Sequence, residues 1–365
     1  VSLTLDKLVT ELENRGHEVF VATPRKPEVE YKKNFMPLNT LPIPKFIEEK
    51  ILLDDKMPFN FEAQAYAFFK DNEVDLIHSH ETGVIGPIAA KVSKKLNIPH
   101  IHTYHTYAEA YLKPLKIFGY HKYIRYITRK VCNSANFVIS PSKKISLYLS
   151  KIGVQSEVIT LINPPYNDLL RPSVGKDQVL SSSLGINQDD IVFVTFSRIV
   201  KEKGIDNLIL ILKEVLKSSN TKLLIAGFGP EIDNLKKLCE HYNIKDKVIF
   251  YGKYSRDELS KICSLGDIYV TASVSETQGI VILEAISAGL PVIAIKDDAF
   301  SDFVIDNFNG YMCNSKDEFE KSAKELVTNS TKRDTFAKNS NKLSKSFSSD
   351  KVIDSIVEIY KRSIS

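Results

Sequence analysis

Short apolar runs alternate with helix-length amphipathic segments along most of the chain. Such runs cover residues 17–23, 74–80, 99–105, 136–142 and 157–162 in the first half, and 190–198, 222–229, 247–253, 267–273 and 291–295 in the second. Runs of this kind, each followed by a helical pattern, are typical of βαβ units and a parallel sheet. The pattern predicts an α/β protein with two doubly wound, Rossmann-like domains.

A polar, serine-rich stretch from Pro172 to Asp190 separates the two series of predicted strands. The length of 365 residues also favours more than one core. We expect a first domain over 1–168, a second over 169–345, and a final helix over 346–365 that packs back on the first domain. Ligands of such sheets sit beyond the carboxyl ends of the strands, so the default site is a cleft between the two halves.

The chain opens with a helical pattern over residues 2–15 rather than with a strand. A nucleotide-binding domain normally begins with a strand that leads into such a helix. The pattern therefore predicts that the first strand is missing from this chain, and we expect further residues upstream of Val1.

Composition and cysteine spacing limit the kind of protein and the kinds of site that we expect. With 43% apolar and 26% charged residues, the make-up is that of a soluble globular protein, and no run approaches the length of a membrane-spanning helix. Four cysteines, Cys132, Cys239, Cys263 and Cys313, lack paired or metal-ligand spacing. We therefore expect reduced thiols and no metal site.

Two glutamates interrupt the apolar segment SETQGIVILEAISAGLPV (275–292). Glu276 follows a predicted strand, and Glu284 lies inside a helix expected to begin near Gln278. The start of that helix offers backbone amides to a diphosphate, namely those of Thr277, Gln278, Gly279 and Ile280. Carboxylates beside such a site suit ligand hydroxyls. The alternative is that Glu284 pairs with a lysine and Glu276 only caps the helix.

A second element, FSRIVKEKG, places Arg198 and Lys203 after a predicted strand, with Gly204 opening the next helix. Two cations at a strand end suit a pair of phosphates, because arginine binds bidentately and lysine acts as a point charge. A solvated basic loop is the alternative. Gly227 and Gly229 in IAGFGP allow close approach of the backbone to a ligand, although a GxG alone is a weak signal.

In this order, these motifs resemble the retaining family 4 glycosyltransferases. The resemblance implies the GT-B arrangement of two Rossmann-like domains and a nucleotide-sugar donor. It assigns Arg198 and Lys203 (R-x4-K) to the donor diphosphate, Glu276 to the sugar and Glu284 to the ribose (E-x7-E). The residues between the glutamates supply amides to the sugar and phosphate.

The resemblance also implies a mechanism. Negative charge develops on the leaving diphosphate, and Arg198, Lys203 and the helix amides stabilise that charge without a metal or other cofactor. Glu276 holds the sugar hydroxyls so that the acceptor attacks from the face the diphosphate leaves, which gives retention. His105, in HTYHTYAEAYLKPLK (102–116), stands where the family has a histidine close to the transferred sugar.

The predicted strand ends carry other histidines besides His105. His102 and His105 end a predicted strand and are both expected to reach the cleft rather than the core. His80 ends the run VDLIHSH and can equally cap the following helix.

A basic and aromatic helical pattern occupies residues 111–131. Lys122, Arg125 and Arg129 share one stripe, which suits an anionic membrane surface. The residues assigned to the membrane or the acceptor are Glu109, Tyr111, Lys113, Lys116, Lys122, Arg125 and Arg129. An ordinary surface helix is the alternative. No nucleic-acid recognition module is evident, so nucleic acid is not an expected partner.

The segment with Glu109 and Tyr111 is similar to the branch of the family that glucosylates diacylglycerol in Gram-positive bacteria and mycoplasma-like organisms. The chain departs from this branch at Ala110, where an acidic residue is usual, and at NPPYND (163–168), which lacks a usual glycine. The resemblance implies glucose transfer from UDP-glucose to 1,2-diacylglycerol by a cytoplasmic protein held at the inner face of the cell membrane.

Other functions stay open at this stage. The same chemistry could act on a cell-envelope polysaccharide precursor or on a protein Ser/Thr. A catalytically silent partner of another glycosyltransferase is a different class, as is a nucleotide-sugar epimerase of similar architecture. The sequence leaves the sugar, the nucleotide and the oligomeric state undetermined.

Overall fold

The computed structural model describes residues 2–24, 34–38, 40–41, 57–58, 60–105, 107, 109, 119–162, 170, 175–218, 220–274 and 276–365. The chain divides into two compact units. The first unit consists of Val1–Ile162 together with Val352–Ser365, and the second unit is Asn163–Lys351. Each unit is described by itself below.

The first unit contains a four-stranded parallel sheet and two separate strand pairs. Its strands are β1 (Val21–Pro24), β2 (Phe35–Leu38), β3 (Thr40–Leu41), β4 (Met57–Pro58), β5 (Ile77–Ser79), β6 (His100–Thr103), β7 (Phe137–Ser140) and β8 (Glu157–Thr160). The sheet has the order β5-β6-β7-β8, while β1 pairs with β2 in parallel and β3 with β4 antiparallel.

The helices of this unit are α1 (Ser2–Asn14), α2 (Phe61–Asp71), α3 (Ile85–Leu96), α4 (Tyr120–Cys132) and α5 (Lys143–Lys151). They cover both faces of the sheet, as a parallel sheet requires. On one face, Leu8 and Leu12 of α1 pack with Ile101 and Ile139 of the sheet. On the other, the sheet residue Val138 packs with residues of α4 and α5.

The second unit is built on a six-stranded parallel sheet. Its strands are β9 (Ile191–Phe196), β10 (Thr221–Ala226), β11 (Val248–Gly252), β12 (Ile268–Thr271), β13 (Val292–Ile295) and β14 (Gly310–Cys313). Its helices are α6 (Gln178–Ser183), α7 (Ile205–Ser218), α8 (Ile232–His241), α9 (Arg256–Leu265), α10 (Ile280–Ser287), α11 (Lys316–Thr328) and α12 (Ser330–Ser344). Short 3₁₀ turns lie at Lys201–Lys203, Lys245–Lys247, Asp298–Phe300 and Lys345–Phe347.

The strand order of this sheet is β11-β10-β9-β12-β13-β14. Counted from β9, this is the 3-2-1-4-5-6 order of dinucleotide-binding sheets. The order reverses between β9 and β12, which pair in parallel through Phe193 and Ile268. The loops that follow these two strands therefore flank the point where such sheets bind ligands.

The final helix, α13 (Ser349–Ile364), belongs to the first unit. Its apolar stripe, which includes Val352, Ile353 and Ile356, packs with Leu8 and Ile101. The first unit's core is thus completed by the last residues of the chain. The division of the structure falls after Ile162 and after Lys351, whereas the sequence predicts limits at 168 and 345.

Among the described residues, no helix combines the length and the apolar character needed to cross a bilayer.

Candidate active site

The loops after β9 and β12 bring a lysine and a glutamate together. Lys203 Nζ donates to Glu276 Oε1 over 2.6 Å, and both side chains are largely buried. Ser273 Oγ donates to the same carboxylate oxygen over 2.9 Å. The lysine of the predicted cation pair and the first glutamate of the predicted acidic pair therefore lie in one place, although 73 residues separate them in sequence.

A glycine lets the two loops approach. The 3₁₀ turn Lys201–Lys203 ends at Gly204, whose φ of 61° lies in the left-handed region. A Cβ atom at Gly204 would lie 2.7 Å from the backbone oxygen of Ala272 in the loop after β12. Glycine is thus required both for the backbone turn and for the contact between the loops.

Arg198 lies apart from this pair. Its side chain is about half exposed and forms an ion pair of 3.1 Å with Glu202, one turn away on the same loop. The structure therefore places Arg198 on the loop after β9 as predicted, but its side chain pairs with Glu202 and not with Glu276.

Glu284 is buried on α10, at 6% exposure. Burial raises the pKa of Glu284 to about 7, while the nearby charge of Arg256 acts in the opposite direction. Within residues 175–218, 220–274 and 276–365, no protein group forms a hydrogen bond or ion pair with its side chain. A carboxylate in this position is prepared to accept hydrogen bonds from a ligand, because a buried charge is costly without partners.

The charges of both glutamates change the pKa of one buried tyrosine. Burial raises the pKa of Tyr269, and the charges of Glu276 and Glu284 raise it further. Tyr269 lies on β12 and is almost wholly buried. The charges of both predicted glutamates therefore influence the same buried residue of β12.

The helix between the glutamates begins two residues later than predicted, at Ile280 rather than near Gln278. Gly279 caps it with a φ of 79°, and a Cβ atom there would lie 2.8 Å from the Phe300 ring. The first intrahelical bonds run from Ile282 and Leu283 to the Gly279 oxygen, so the preceding amides point out of the helix end. Thr277 and Gln278 lie in the turn before the helix, and Gln278 is buried.

Gly227 and Gly229, predicted to allow close approach of a ligand, also have a structural reason to be glycine. A Cβ atom on Gly227 would lie 1.9 Å from the Ser197 oxygen, and one on Gly229 would lie 2.1 Å from the Ile199 oxygen. The Ile199 amide also donates to the Phe228 oxygen over 2.9 Å. Both glycines are therefore explained by the close packing of this loop on the loop after β9.

In the first unit, His105 lies just beyond β6 and shares a hydrogen bond with His80, with 2.9 Å between His105 Nε2 and His80 Nδ1. Burial lowers the pKa of His105 to about 3, so the ring is neutral near pH 7. His80 does not cap the next helix, because Glu81 accepts from the amides of Gly83, Val84 and Ile85 instead.

The expectation that His102 reaches a cleft is wrong. His102 is fully buried and bonds to Ser79 over 2.8 Å and to Thr82 over 3.1 Å. Alternation along β6 explains this difference, because residues at successive positions point to opposite faces of a sheet.

Two sequence profiles together match nearly the whole chain. The family described as Glycosyltransferase Family 4 matches residues 1–168, and the one described as Glycosyl transferases group 1 matches residues 177–343. The chain belongs to the family 4 glycosyltransferases. It is a glycosyltransferase that uses a nucleotide-sugar donor, and its fold is of the GT-B class.

Two similar curated relatives are named for glycolipid synthesis. The alpha-monoglucosyldiacylglycerol synthase of Streptococcus pneumoniae is 29% identical over 85% of this chain and 71% of its own. The enzyme of the same name from Acholeplasma laidlawii is 28% identical over 96% of this chain and 90% of its own. Among solved structures, Anabaena HepE with UDP and glucose superposes with a TM-score of 0.75 at 18% identity, covering 98% of this chain and 95% of that one.

Glu109, assigned from the sequence to the membrane or acceptor, is buried and saturated with protein partners. Arg125 donates to both of its carboxylate oxygens, over 2.9 and 2.6 Å. Tyr148 donates over 3.0 Å, and His121 lies at 3.0 Å. The Arg125 guanidinium holds the pKa of Glu109 below its usual range. Glu109 therefore ties the chain after β6 to α4 and α5, and its carboxylate has no obvious capacity left for an acceptor.

The predicted basic stripe lies on the exposed side of α4. Lys122 and Arg129 are exposed, and so are the aromatic rings of Tyr123 and Tyr126. Val131 on the opposite side is buried. Arg125, the third cation of the stripe, is engaged with Glu109. Tyr111, Lys113 and Lys116, which the sequence also assigns to the membrane or the acceptor, lie outside the described residues.

Sequence reasoning missed several polar residues at this site. Ser273 and the pair Tyr254 and Arg256 follow β12 and β11, so the rule that ligand groups follow strand ends could have found them. Burial, and then the charge of Glu284, raise the pKa of Tyr254, which places its phenol beside that carboxylate. Neither the residue type nor the spacing of Ser273, Tyr254 and Arg256 indicates a role in the site.

Proposed function

We propose that the protein transfers glucose from UDP-glucose to 1,2-diacylglycerol, with retention and without a metal, at an anionic membrane surface. The observation that carries this proposal is the Lys203–Glu276 pair at the switch point of a Rossmann-type sheet. A cation in contact with a carboxylate can bind both parts of a nucleotide-sugar. The cation binds the diphosphate, and the carboxylate accepts hydrogen bonds from the hydroxyls. The names of the two similar alpha-monoglucosyldiacylglycerol synthases support glucose as the sugar and diacylglycerol as the acceptor.

Each donor group has a matching partner in the proposal. Lys203, Arg198 and the amides at the start of α10 stabilise the charge that develops on the leaving diphosphate. Glu276 turns from Lys203 towards the sugar hydroxyls and keeps the sugar oriented. Glu284 accepts from the ribose hydroxyls, which gives its buried carboxylate the hydrogen bonds it lacks in the protein.

The membrane part of the proposal rests on α4 and α5. Lys122 and Arg129 are exposed next to the rings of Tyr123 and Tyr126, and Leu147 on α5 is 66% exposed. Cations attract anionic lipids, and exposed aromatic and aliphatic side chains favour the interfacial region.

A groove of about 210 Å³ adjoins this surface. The residues lining it are Tyr107, Arg125, Lys144, Leu147, Tyr148, Lys151 and Ile152. Its mixture of cationic ends and apolar walls matches the boundary between headgroups and acyl chains.

Transfer is tested with radiolabelled UDP-glucose, UDP-galactose and UDP-N-acetylglucosamine, each with diacylglycerol in phosphatidylglycerol vesicles or with a soluble acceptor. We expect label from UDP-glucose in the lipid fraction, an α-configured product by NMR, and unchanged rates with a chelator. Label in the soluble acceptor alone would favour a polysaccharide or protein acceptor. Release of free sugar or epimerisation without transfer would contradict the proposal.

Membrane binding is tested separately by sedimentation with the same vesicles. Lys122→Glu with Arg129→Glu should reduce the bound fraction. Arg125 is left intact because its loss would also break the contact to Glu109. The matched control replaces two exposed lysines of the second unit, Lys237→Glu and Lys338→Glu, with the same change in charge. Equal loss in both double variants would mean that only net charge matters and that α4 is not the docking surface.

A further inference from the structure

Histidines are concentrated on two neighbouring strands of the first unit. Five of the chain's eight histidines, namely His78, His80, His100, His102 and His105, lie on β5, on β6 or directly after them. The register pairs His78 with Ile101 and Ser79 with His102. Because side chains alternate between faces, His78 and His80 share one face, while Ser79, His100 and His102 share the other. The histidines thus form two separate groups.

His78 is held at both ring nitrogens. Its Nδ1 lies 2.7 Å from the hydroxyl of Tyr360 on α13, and its Nε2 lies 2.7 Å from Thr103 Oγ1 on β6. A ring with both nitrogens bonded has a fixed orientation, while its two hydroxyl partners can each donate or accept and so fit either tautomer. Tyr360 comes from the last helix of the chain, so the carboxyl terminus contributes directly to this face of the sheet.

His80 lies between His78 and His105. The rings of His78 and His80 pack with centroids 4.0 Å apart, and those of His80 and His105 are nearly parallel at 5.2 Å. The second pair is also joined by the 2.9 Å hydrogen bond between His80 Nδ1 and His105 Nε2. Contacts therefore run without interruption from Tyr360 to His105.

The hydrogen bond constrains the proton on His105. Burial lowers the pKa values of both histidines, so both rings are neutral near pH 7. One neutral imidazole nitrogen must then donate and the other accept. If His80 donates, the proton of His105 sits on Nδ1, and if His105 donates, its Nδ1 is a free acceptor. His80 thereby determines which kind of group His105 presents on its other side.

We infer that His80 is a positioning residue that sets the tautomer and rotamer of His105, and that Tyr360 secures the far end of this contact chain through His78. The inference rests on the proposed function in that His105 is taken to face the transferred sugar. A histidine beside a reacting sugar must present the correct nitrogen, since small misplacements of such groups are costly to rate. His80 and Tyr360 act through His105 and touch no substrate themselves.

Three variants test the chain of contacts. His80→Ala removes the partner of His105, whereas His80→Asn keeps a polar atom where Nδ1 was. Tyr360→Phe removes only the hydroxyl on His78. The control is His100→Gln, which changes a buried histidine on the opposite face and retains a group able to bond Ser79 in place of Nε2. All four are compared by kcat and KM for transfer, by UDP-glucose affinity and by thermal unfolding.

His80→Ala should lower kcat by about 10- to 100-fold with little change in UDP-glucose affinity. His80→Asn should recover most of this loss, and Tyr360→Phe should cost about threefold. His100→Gln should keep the wild-type kcat. A folded His80→Ala protein with kcat within about twofold of wild type, or an Asn variant as slow as the Ala variant, would overturn the inference.

The tautomer of His105 can be read without any turnover, from its ¹⁵N chemical shifts. Wild type should show one neutral tautomer, and His80→Ala a mixture of two. Unchanged shifts in His80→Ala would overturn the inference whatever the activity. If wild type transfers no sugar but the shifts respond as expected, the positioning contact stands and the proposed function fails.

Discussion

The two units place polar side chains at the carboxyl ends of parallel strands in opposite ways. In the second unit the groups are acidic and basic: Lys203 pairs with Glu276, and the buried carboxyl of Glu284 has no hydrogen-bond or ion-pair partner among the described residues. In the first unit the groups are neutral histidines and hydroxyls that bond to one another, as His78 does with Tyr360 and Thr103. Charges at a strand end suit a charged ligand, whereas a self-satisfied network suits the orientation of one reactive group.

Among the tests of this comparison, loss of Lys203 should have the largest effect, a fall in kcat. Lys203→Ala removes one of the two cations assigned to the proposed diphosphate, and we expect kcat for transfer to fall by about 10³-fold. The control is Lys201→Ala, an exposed lysine in the same 3₁₀ turn, which should stay near wild type. Steady-state kinetics with UDP-glucose measure kcat for both variants. A fall of less than about threefold for Lys203→Ala would remove this residue from the donor site.

The packing of the two donor loops is tested at Gly204. Gly204→Ala should lower the free energy of unfolding by about 2–4 kcal/mol, because alanine is strained at this φ and its Cβ meets the Ala272 oxygen. Gly185→Ala is a matched control, since Gly185 also has positive φ, 66°, but nothing within 4 Å of its Cβ position. Denaturant unfolding of both variants gives the comparison. Equal losses would show that the loop contact adds nothing to the backbone strain.

Acid should destabilise the histidine-rich first unit. Burial lowers the pKa of His100 to about 4, so between pH 6.5 and 4 the unfolded chain binds a proton that the folded chain does not. Stability is then present above the unfolded pKa and is lost as the pH falls. Between pH 7 and 5 this one histidine should cost about 2 kcal/mol.

The measurement is denaturant unfolding of wild type and His100→Gln at both pH values. The variant should lose less stability than wild type on acidification. The same pH dependence in both proteins would mean that the ring is not buried in its neutral form.

Donor affinity should depend on pH through Glu284. Its pKa of about 7 means that the carboxylate ionises as the pH rises from 6 to 8. Because charge-assisted hydrogen bonds to ribose are the stronger ones, UDP-glucose affinity should rise over this range by about three- to tenfold. Glu284→Gln should bind more weakly and lose the pH dependence. Calorimetric titration checks both points, and a pH profile that Glu284→Gln leaves unchanged would place the ribose elsewhere.

Part of the site could be predicted because it follows from local chemistry. Arg198 and Lys203 after one strand, and Glu276 and Glu284 around the next helix, are visible as charges in apolar surroundings. The pairing of Lys203 with Glu276 could be expected only from the rule that ligand groups gather at strand ends. Its detailed form, with Arg198 turned to Glu202 instead, depends on side-chain packing that no spacing reveals.

Several contacts that the sequence did not indicate have a common physical origin. His102 and His105 look alike in sequence, but alternation along β6 buries the first and leaves the second at the strand's end. Gly227 looks like a ligand-contacting glycine, whereas the nearby Ser197 oxygen explains it. Glu109 looks like an acceptor residue, yet Arg125 and Tyr148 use its carboxylate. In each case the deciding neighbour comes from another part of the chain.

The amino-acid sequence by itself determined the α/β class, the two-part organisation, the glycosyltransferase family and the residues that carry charge near the donor site. The class and the organisation follow from periodicity, and the charged residues stand out because burying unpaired charge is costly; the family follows from the resemblance of the motifs around Arg198, Lys203, Glu276 and Glu284. Tertiary structure alone decided which histidine nitrogen meets which partner, that Tyr360 from the last helix reaches His78, and that Glu109 is an internal tie. Such contacts join residues far apart in sequence, and only the folded chain brings them within hydrogen-bonding distance.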